Sequence, residues 1–253
     1  MDAKANGIKG HNYIVSWSGG KDSCMALYEA LRLGYKVTHL VNFISNDDKR
    51  VRFHGTNSSL IRQQGAALGI KVAQYETDWD GYERDFKAGV RGLLPTGVRG
   101  MIFGDIYLDV HREWVERVCG EIGIEALEPL WGRPTGELLD QFIEFGFEAV
   151  VVGINSRHMD EKWVGRFVDS SFRDYLKQNN IDPCGENGEY HTVVINGPIF
   201  TRRLSLVTGG VISKNEYRLL DITDVSLEDA PPLNRFEESE RSLKRLQLCK
   251  FYS

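Results

Sequence analysis

Short apolar runs alternate with stretches of helical spacing along the first half of the chain. Tyr13-Ile14-Val15-Ser16-Trp17 is a run of strand length, apolar positions recur at helical spacing over 23–33, and Gly34 stops that helix. A second run over 37–44 leads through polar Asn46-Asp47-Asp48 to a helix over 56–68, with Gly69 as its stop. Further strands are expected at 72–75, 101–103 and 124–127, separated by helical patterns at 81–94 and 110–122. This alternation predicts crossover units: an α/β, Rossmann-like parallel sheet with helices on both faces.

The texture changes after Glu128-Pro129-Leu130-Trp131-Gly132-Arg133-Pro134, where the chain turns. A helix over 136–145 and a wholly apolar strand over 149–152 follow. Beyond Gly185 come strand-like runs at 191–195, 204–207 and 217–222, joined by glycine turns such as Thr208-Gly209-Gly210. We expect one domain over 1–130 and a second over 131–253 that ends in a smaller, partly antiparallel α+β unit. The stretch 234–248 mixes apolar positions with both charge signs at helical spacing, as a docked terminal helix does.

Composition narrows the functional classes. With 253 residues, 42% hydrophobic and 26% charged, the chain has the make-up of an ordinary packed domain. The net charge of -5, from 31 basic against 36 acidic residues, provides no general attraction to nucleic acid or anionic lipid, so any phosphate binding must be local. No apolar stretch reaches membrane-spanning length, and residues 1–11 are polar and glycine-containing, so a cytoplasmic location is expected. Cys24, Cys119, Cys184 and Cys249 form no C-x-x-C pair and fit reduced thiols. Nothing in the pattern fixes the oligomeric state, and a homo-oligomer stays open.

The densest chemistry near the N-terminus is Ser18-Gly19-Gly20-Lys21-Asp22-Ser23, between an apolar strand and a helix. Two residues without a Cβ sit where the chain reverses, so backbone N–H groups and the first helical turn converge on one point suited to an anion. Lys21 adds a full charge, and the Ser18 and Ser23 hydroxyls add donors. The loop is neither a Walker A motif nor a G-x-G-x-x-G turn: Val15 and Asp22 stand where the former needs glycine and Ser or Thr. A second candidate, Gly104-Asp105, ends a strand at the edge where ligands bind in open parallel sheets, although an aspartate there also serves as a helix cap.

Cys184-Gly185-Glu186-Asn187-Gly188-Glu189-Tyr190-His191-Thr192 gathers two carboxylates, an imidazole and a phenol around two glycines before an apolar strand. Asn-Gly is a hairpin signal, but the preceding 179–183 does not alternate like a paired strand, which favours a substrate loop. A zinc site from Cys184, Glu186, Glu189 and His191 fits no familiar spacing, and no metal ligands are assigned.

The phosphate loop matches the Ser-Gly-Gly-x-Asp-Ser signature of the PP-loop ATP pyrophosphatases, an adenine nucleotide alpha hydrolase-like class. Together with His54-Gly55-Thr56, Trp131-Gly132-Arg133, the stretch from Met159 to Arg166 and the loop from Glu186 to Thr192, the chain resembles the diphthine-ammonia ligase family over most of Val15 to Phe200. The resemblance implies an AMP-forming amide ligase in which ATP, with Mg2+ bridging its phosphates, adenylates a carboxylate acceptor that ammonia then attacks. It implies nucleotide contacts from Ser18, Gly19, Gly20, Lys21, Asp22, Ser23, His54, Gly104 and Asp105. Catalytic roles fall to Lys21, Asp22, Glu186, Glu189 and His191, and substrate contacts to Arg166, Asn187, Gly188, Tyr190 and Thr192. Elongation factor 2 is the implied acceptor protein if the diphthamide pathway applies.

One departure bears on the acceptor. The family's ligases typically read Glu-Gly-Gly-Glu-(Phe or Tyr)-Glu-Thr, whereas this chain has Asn187 in place of the first of those glycines and His191 in place of the last glutamate. The form resembles a bacterial branch linked to cobalamin-related metabolism, which implies a different small-molecule acceptor. A nucleotide-binding module without turnover, and a sulfur-transferring enzyme using Cys184, remain alternatives on the residues alone.

Overall fold

The computed structural model describes residues 11–45, 58–78 and 80–229. His54, Gly55 and Thr56, the start of the second helix, and the expected terminal helix over 234–248 lie outside them.

The first apolar run forms strand β1 (Asn12–Ser16), and the loop behind it opens directly into helix α1 (Lys21–Arg32). Strand β2 (Lys36–Ser45), helix α2 (Ser58–Leu68) and strand β3 (Lys71–Thr77) follow to one side. Helix α3 (Tyr82–Leu93), strand β4 (Val98–Ile102), helix α4 (Asp109–Ile122) and strand β5 (Glu125–Leu127) then build the other side. The result is a five-stranded parallel sheet in the order β3-β2-β1-β4-β5. The strand order reverses beside β1, so the crevice between the ends of β1 and β4 is the switch point where such sheets bind ligands.

Successive strand residues point to opposite faces, and the core divides accordingly. Tyr13 and Val15 join α1 and α2 in one buried cluster, whereas Ile14 joins Phe86 and Val90 of α3 and Val115 and Val118 of α4 in another. Helices therefore cover both faces. The first cluster continues into the rest of the chain through helix α5 (Thr135–Glu144) and strand β6 (Glu148–Asn155).

β6 belongs to a second sheet, with strands β7 (Tyr190–Asn196), β8 (Arg202–Lys214) and β9 (Tyr217–Asp229) in the antiparallel order β7-β6-β9-β8. Helix α6 (Ser170–Gln178), capped by Asp169 accepting from the Phe172 N–H, lies between β6 and β7 in the chain and is not among the elements expected from hydrophobic spacing. Thr208-Gly209-Gly210, expected as a turn, runs inside β8 instead. The pairing with β9 shifts register between Val207 and Val211, a bulge that spends the glycines within the strand. The turn of this hairpin falls at Asn215-Glu216, with Asn215 at φ 54°.

Candidate functional site

The phosphate loop leaves β1 through Trp17 and reverses at Gly19, whose φ of +83° suits only a residue without a side chain. A Cβ there would stand 2.7 Å from Gln64 Oε1 and 2.9 Å from Ile61 Cδ1. Helix α1 starts at Lys21 with Gly20 as its cap and no side chain capping it. Within the helix, the N–H groups of its first turn have no carbonyl four residues back, and Asp22 stands at this positive end of the dipole. The Ser18 and Ser23 hydroxyls lie 3.2 Å apart across the loop.

Gly104, one residue beyond Phe103, brings the end of β4 against that first turn: a Cβ would meet Asp22 C and Ser23 N at 2.9 Å. Asp105 follows and shares a hydrogen bond of 3.1 Å with His111 Nδ1, which raises the His111 pKa.

The 182–189 loop is held without any strand pairing on its N-terminal side. Gly185 (φ 68°) and Gly188 (φ 82°) make its bends, and Asp182 accepts from the Glu186 N–H at 2.9 Å. Asn187 Nδ2 donates to the Tyr107 hydroxyl at 2.9 Å and to Glu189 Oε1 at 3.3 Å, which pins the loop to the β4 side of the crevice. The Asn-Gly step is therefore a loop bend and not a hairpin turn.

Lys21 joins the two segments. Its side chain is almost fully buried, pairs with Asp22 Oδ2 at 2.8 Å, donates to the Cys184 carbonyl and lies 4.9 Å from the centre of the Tyr190 ring. Burial alone would lower its pKa; Asp22, with lesser help from Tyr190 and Cys184, outweighs that and holds the ammonium protonated. The Lys21 backbone N–H donates to Thr192 Oγ1 at 3.1 Å.

These parts surround one cleft of about 550 Å³. Ser18, Lys21, Asp22 and Ser23 line it from the phosphate loop, Gly104 and Asp105 from the segment that follows β4, and Glu186, Gly188, Tyr190, His191 and Thr192 from the second segment. Tyr82, Phe86, Phe103 and Trp114 form an apolar wall, with Phe86 and Trp114 packed edge to face at 5.0 Å. Burial, reinforced by Asp22, pushes Glu186 up to about 7, so this carboxyl titrates near neutrality. Burial and then Lys21 push His191 down to about 4, which leaves a neutral imidazole whose ring lies 6.2 Å from Tyr217. Burial likewise pushes the Cys184 thiol well up and keeps it protonated.

Arg166 stands apart. It lines a separate cavity of about 320 Å³ with Lys162, Trp163 and Phe167, beside β6. Trp131 does not line the cleft either, but lies under the Arg112 guanidinium at 4.8 Å, and Asp160 caps a short 3-10 turn by accepting from the Lys162 N–H. Conversely, Tyr107, Asp182 and Gln64 emerge only from the structure. Gln64 did carry a signal, a polar residue on the helix face that bears Leu60, Ile61 and Ala67.

A doubly wound α/β sheet with a glycine-lysine loop at its switch point, extended by an antiparallel sheet, places the protein in the adenine nucleotide alpha hydrolase-like fold class. More narrowly, the chain belongs to the diphthamide synthase family: the N-terminal domain of that family matches residues 11–126 and the C-terminal domain residues 134–225. It is similar to the diphthine–ammonia ligase of Schizosaccharomyces pombe, 25% identical over 218 residues, covering 77% of this chain and 36% of that protein. The chain thus matches about a third of that relative's length. The human diphthine–ammonia ligase is 25% identical over 221 residues, covering 77% of this chain and 82% of the relative. A solved structure described as a predicted subunit of tRNA methyltransferase from Methanocaldococcus jannaschii covers 74% of this chain and 97% of its own, with 17% identity and a TM-score of 0.43.

Proposed function

We propose that this protein is an ATP-dependent, AMP-forming amide ligase acting in the cytoplasm. The observation that carries the reading is the shared cleft: an anion-binding loop and a carboxylate-bearing loop face one volume, joined by Lys21. That volume suits a nucleotide and a small acceptor group together. The relatives' name, diphthine–ammonia ligase, supports ammonia as a co-substrate of a ligation.

In this reading the loop amides, Lys21 and the Ser18 and Ser23 hydroxyls hold the β- and γ-phosphates, and the aromatic wall takes the base. An acceptor carboxylate oxygen attacks the α-phosphorus, the bond to the β-phosphate oxygen breaks, and pyrophosphate leaves. The loop and Lys21 stabilise the charge that grows on it. Ammonia then attacks the acyl carbon of the adenylate, and AMP departs with the former carboxylate oxygen. Glu186, titrating near neutrality, takes the proton that the attacking nitrogen must lose.

Mg2+ fits this donor set as a phosphate-borne ion. Among the described residues no cluster of three or more His, Cys, Asp or Glu side chains forms a metal cage, and Mg2+ draws most of its ligands from phosphate and water. Asp22 and Asp105, which line the cleft beside the loop, are the residues that would complete its shell. When bound, it neutralises charge on the triphosphate.

For the acceptor we favour the same chemistry on a group other than diphthine of elongation factor 2. His191 is neutral at pH 7 at the position where the family pattern described above typically has a glutamate, so the far side of the cleft lacks one negative charge. The test is to incubate the protein with α-labelled MgATP, ammonium and each candidate acceptor. AMP and pyrophosphate formed only with acceptor present support the ligase. Saturable ATP binding with no turnover under any acceptor supports a nucleotide-binding module instead.

A further inference from the structure

Gln64 of α2 is fully buried, yet all three hydrogen-bonding groups of its side chain are used. Its Oε1 accepts from Trp17 Nε1 at 2.8 Å, and its Nε2 donates to the carbonyls of Gly19 at 2.9 Å and Val194 at 2.8 Å. The Gly19 carbonyl also receives the Val194 N–H at 3.0 Å, so both of its lone pairs are occupied. On the other side of the loop, Thr192 Oγ1, buried in β7, accepts the Lys21 N–H.

This arrangement determines where the loop's donors point. The C=O and N–H of a trans peptide unit face opposite ways. Anchoring the Gly19 oxygen on Gln64 and Val194 therefore turns the Gly20 N–H away from them, toward the Ser18 hydroxyl at 3.3 Å, on the cleft side. We infer that Gln64 and Thr192 are positioning residues, a clamp from α2 and β7 that sets the phosphate loop in its anion-binding shape. The anion site is then complete only when the second sheet is docked on the first. The inference rests on the proposed reading of the loop as the triphosphate site.

Gln64 does not line the cleft, and Thr192, which does, meets the loop through the Lys21 N–H, so the clamp acts on nucleotide binding through the loop and its effect must appear as affinity. The experiment uses the full-length protein as wild type and as Gln64→Met, Thr192→Val and Thr192→Ser. Calorimetric titration with MgATP and, separately, with inorganic pyrophosphate gives the affinities, and circular dichroism melts report folding. Gln64→Met keeps the side-chain length without the amide, and a lost buried hydrogen-bond partner at a loop of this kind predicts about tenfold or more weaker binding of both ligands. Thr192→Val should weaken them similarly, while Thr192→Ser, which keeps the hydroxyl, should stay within about threefold of wild type.

A lower melting temperature with wild-type affinity in folded Gln64→Met and Thr192→Val means that the two residues only support the fold, and overturns the inference. If Gln64→Met does not fold, the Thr192 pair decides the matter: loss in valine with retention in serine supports the clamp, and equal affinities overturn it. Wild-type protein that binds neither ligand removes the proposed function, and the clamp with it.

Discussion

Replacing Gly104 by alanine tests whether the end of β4 sets the position of the phosphate loop. An alanine Cβ would lie 2.9 Å from Asp22 C and Ser23 N and 3.1 Å from Asp22 O, all backbone atoms that no rotamer change can move aside. Since non-bonded contacts relax at about 3.5–4.0 Å, the strand end or the first turn of α1 must retreat by roughly half an ångström. Overpacking of this kind costs about 1–3 kcal/mol. For a domain of this size that lowers the melting temperature by roughly 2–12 °C. Lys21, Asp22 and Ser23 sit on the displaced turn, and misplacing catalytic groups by up to about 1 Å costs as much as 100-fold in rate. We therefore expect Gly104→Ala to lose about 10- to 100-fold in kcat/KM for ATP-dependent pyrophosphate exchange while remaining folded. Exchange at the wild-type rate in a folded variant would show that β4 does not position the loop.

The remaining predictions concern the second segment. Because burial raises the Glu186 pKa to about 7, its deprotonated, proton-accepting fraction grows as pH rises through neutrality, and AMP formation should rise over the same range. Glu186→Gln should flatten that profile and lower the rate by about 10²- to 10⁴-fold, and an unchanged pH profile would exclude the assigned role. The same raised pKa disfavours the folded state progressively as pH climbs from the ordinary carboxylate value to about 7. The melting temperature of Glu186→Gln relative to wild type should therefore increase across that interval. Cys184→Ala should retain AMP formation, because Lys21 contacts the Cys184 carbonyl and the thiol is held protonated; complete loss would instead favour sulfur chemistry.

Much of the fold is legible in the sequence because period and punctuation agree. The apolar runs at β1, β2 and β6 are buried along most of their length, and Gly34, Gly69 and Gly123 all stand at positive φ just behind the helices they end. Thr208-Gly209-Gly210 misleads because a bulge and a turn ask for the same residues, and only pairing with a distant strand separates them. Helix α6 stays hidden because it buries only Phe172 and Leu176 and is polar elsewhere. The phosphate loop is local, so its strand-turn-helix context is written in consecutive residues. The rest of the site is assembled across the fold: Tyr107 reaches Asn187 across 80 positions and Gln64 reaches Val194 across 130. Arg166 shares the chemistry of an anion ligand with Lys21, but its place beside β6 follows from sheet order, which no spacing reveals.

The most direct measurement is a crystal structure of the protein with Mg2+ and an ATP analogue that cannot be cleaved between the α- and β-phosphates. The β- and γ-phosphates should lie on the amides and hydroxyls of Ser18 to Ser23, with the α-phosphate facing Glu186. A triphosphate bound elsewhere in the cleft, with the loop left empty, would contradict this placement.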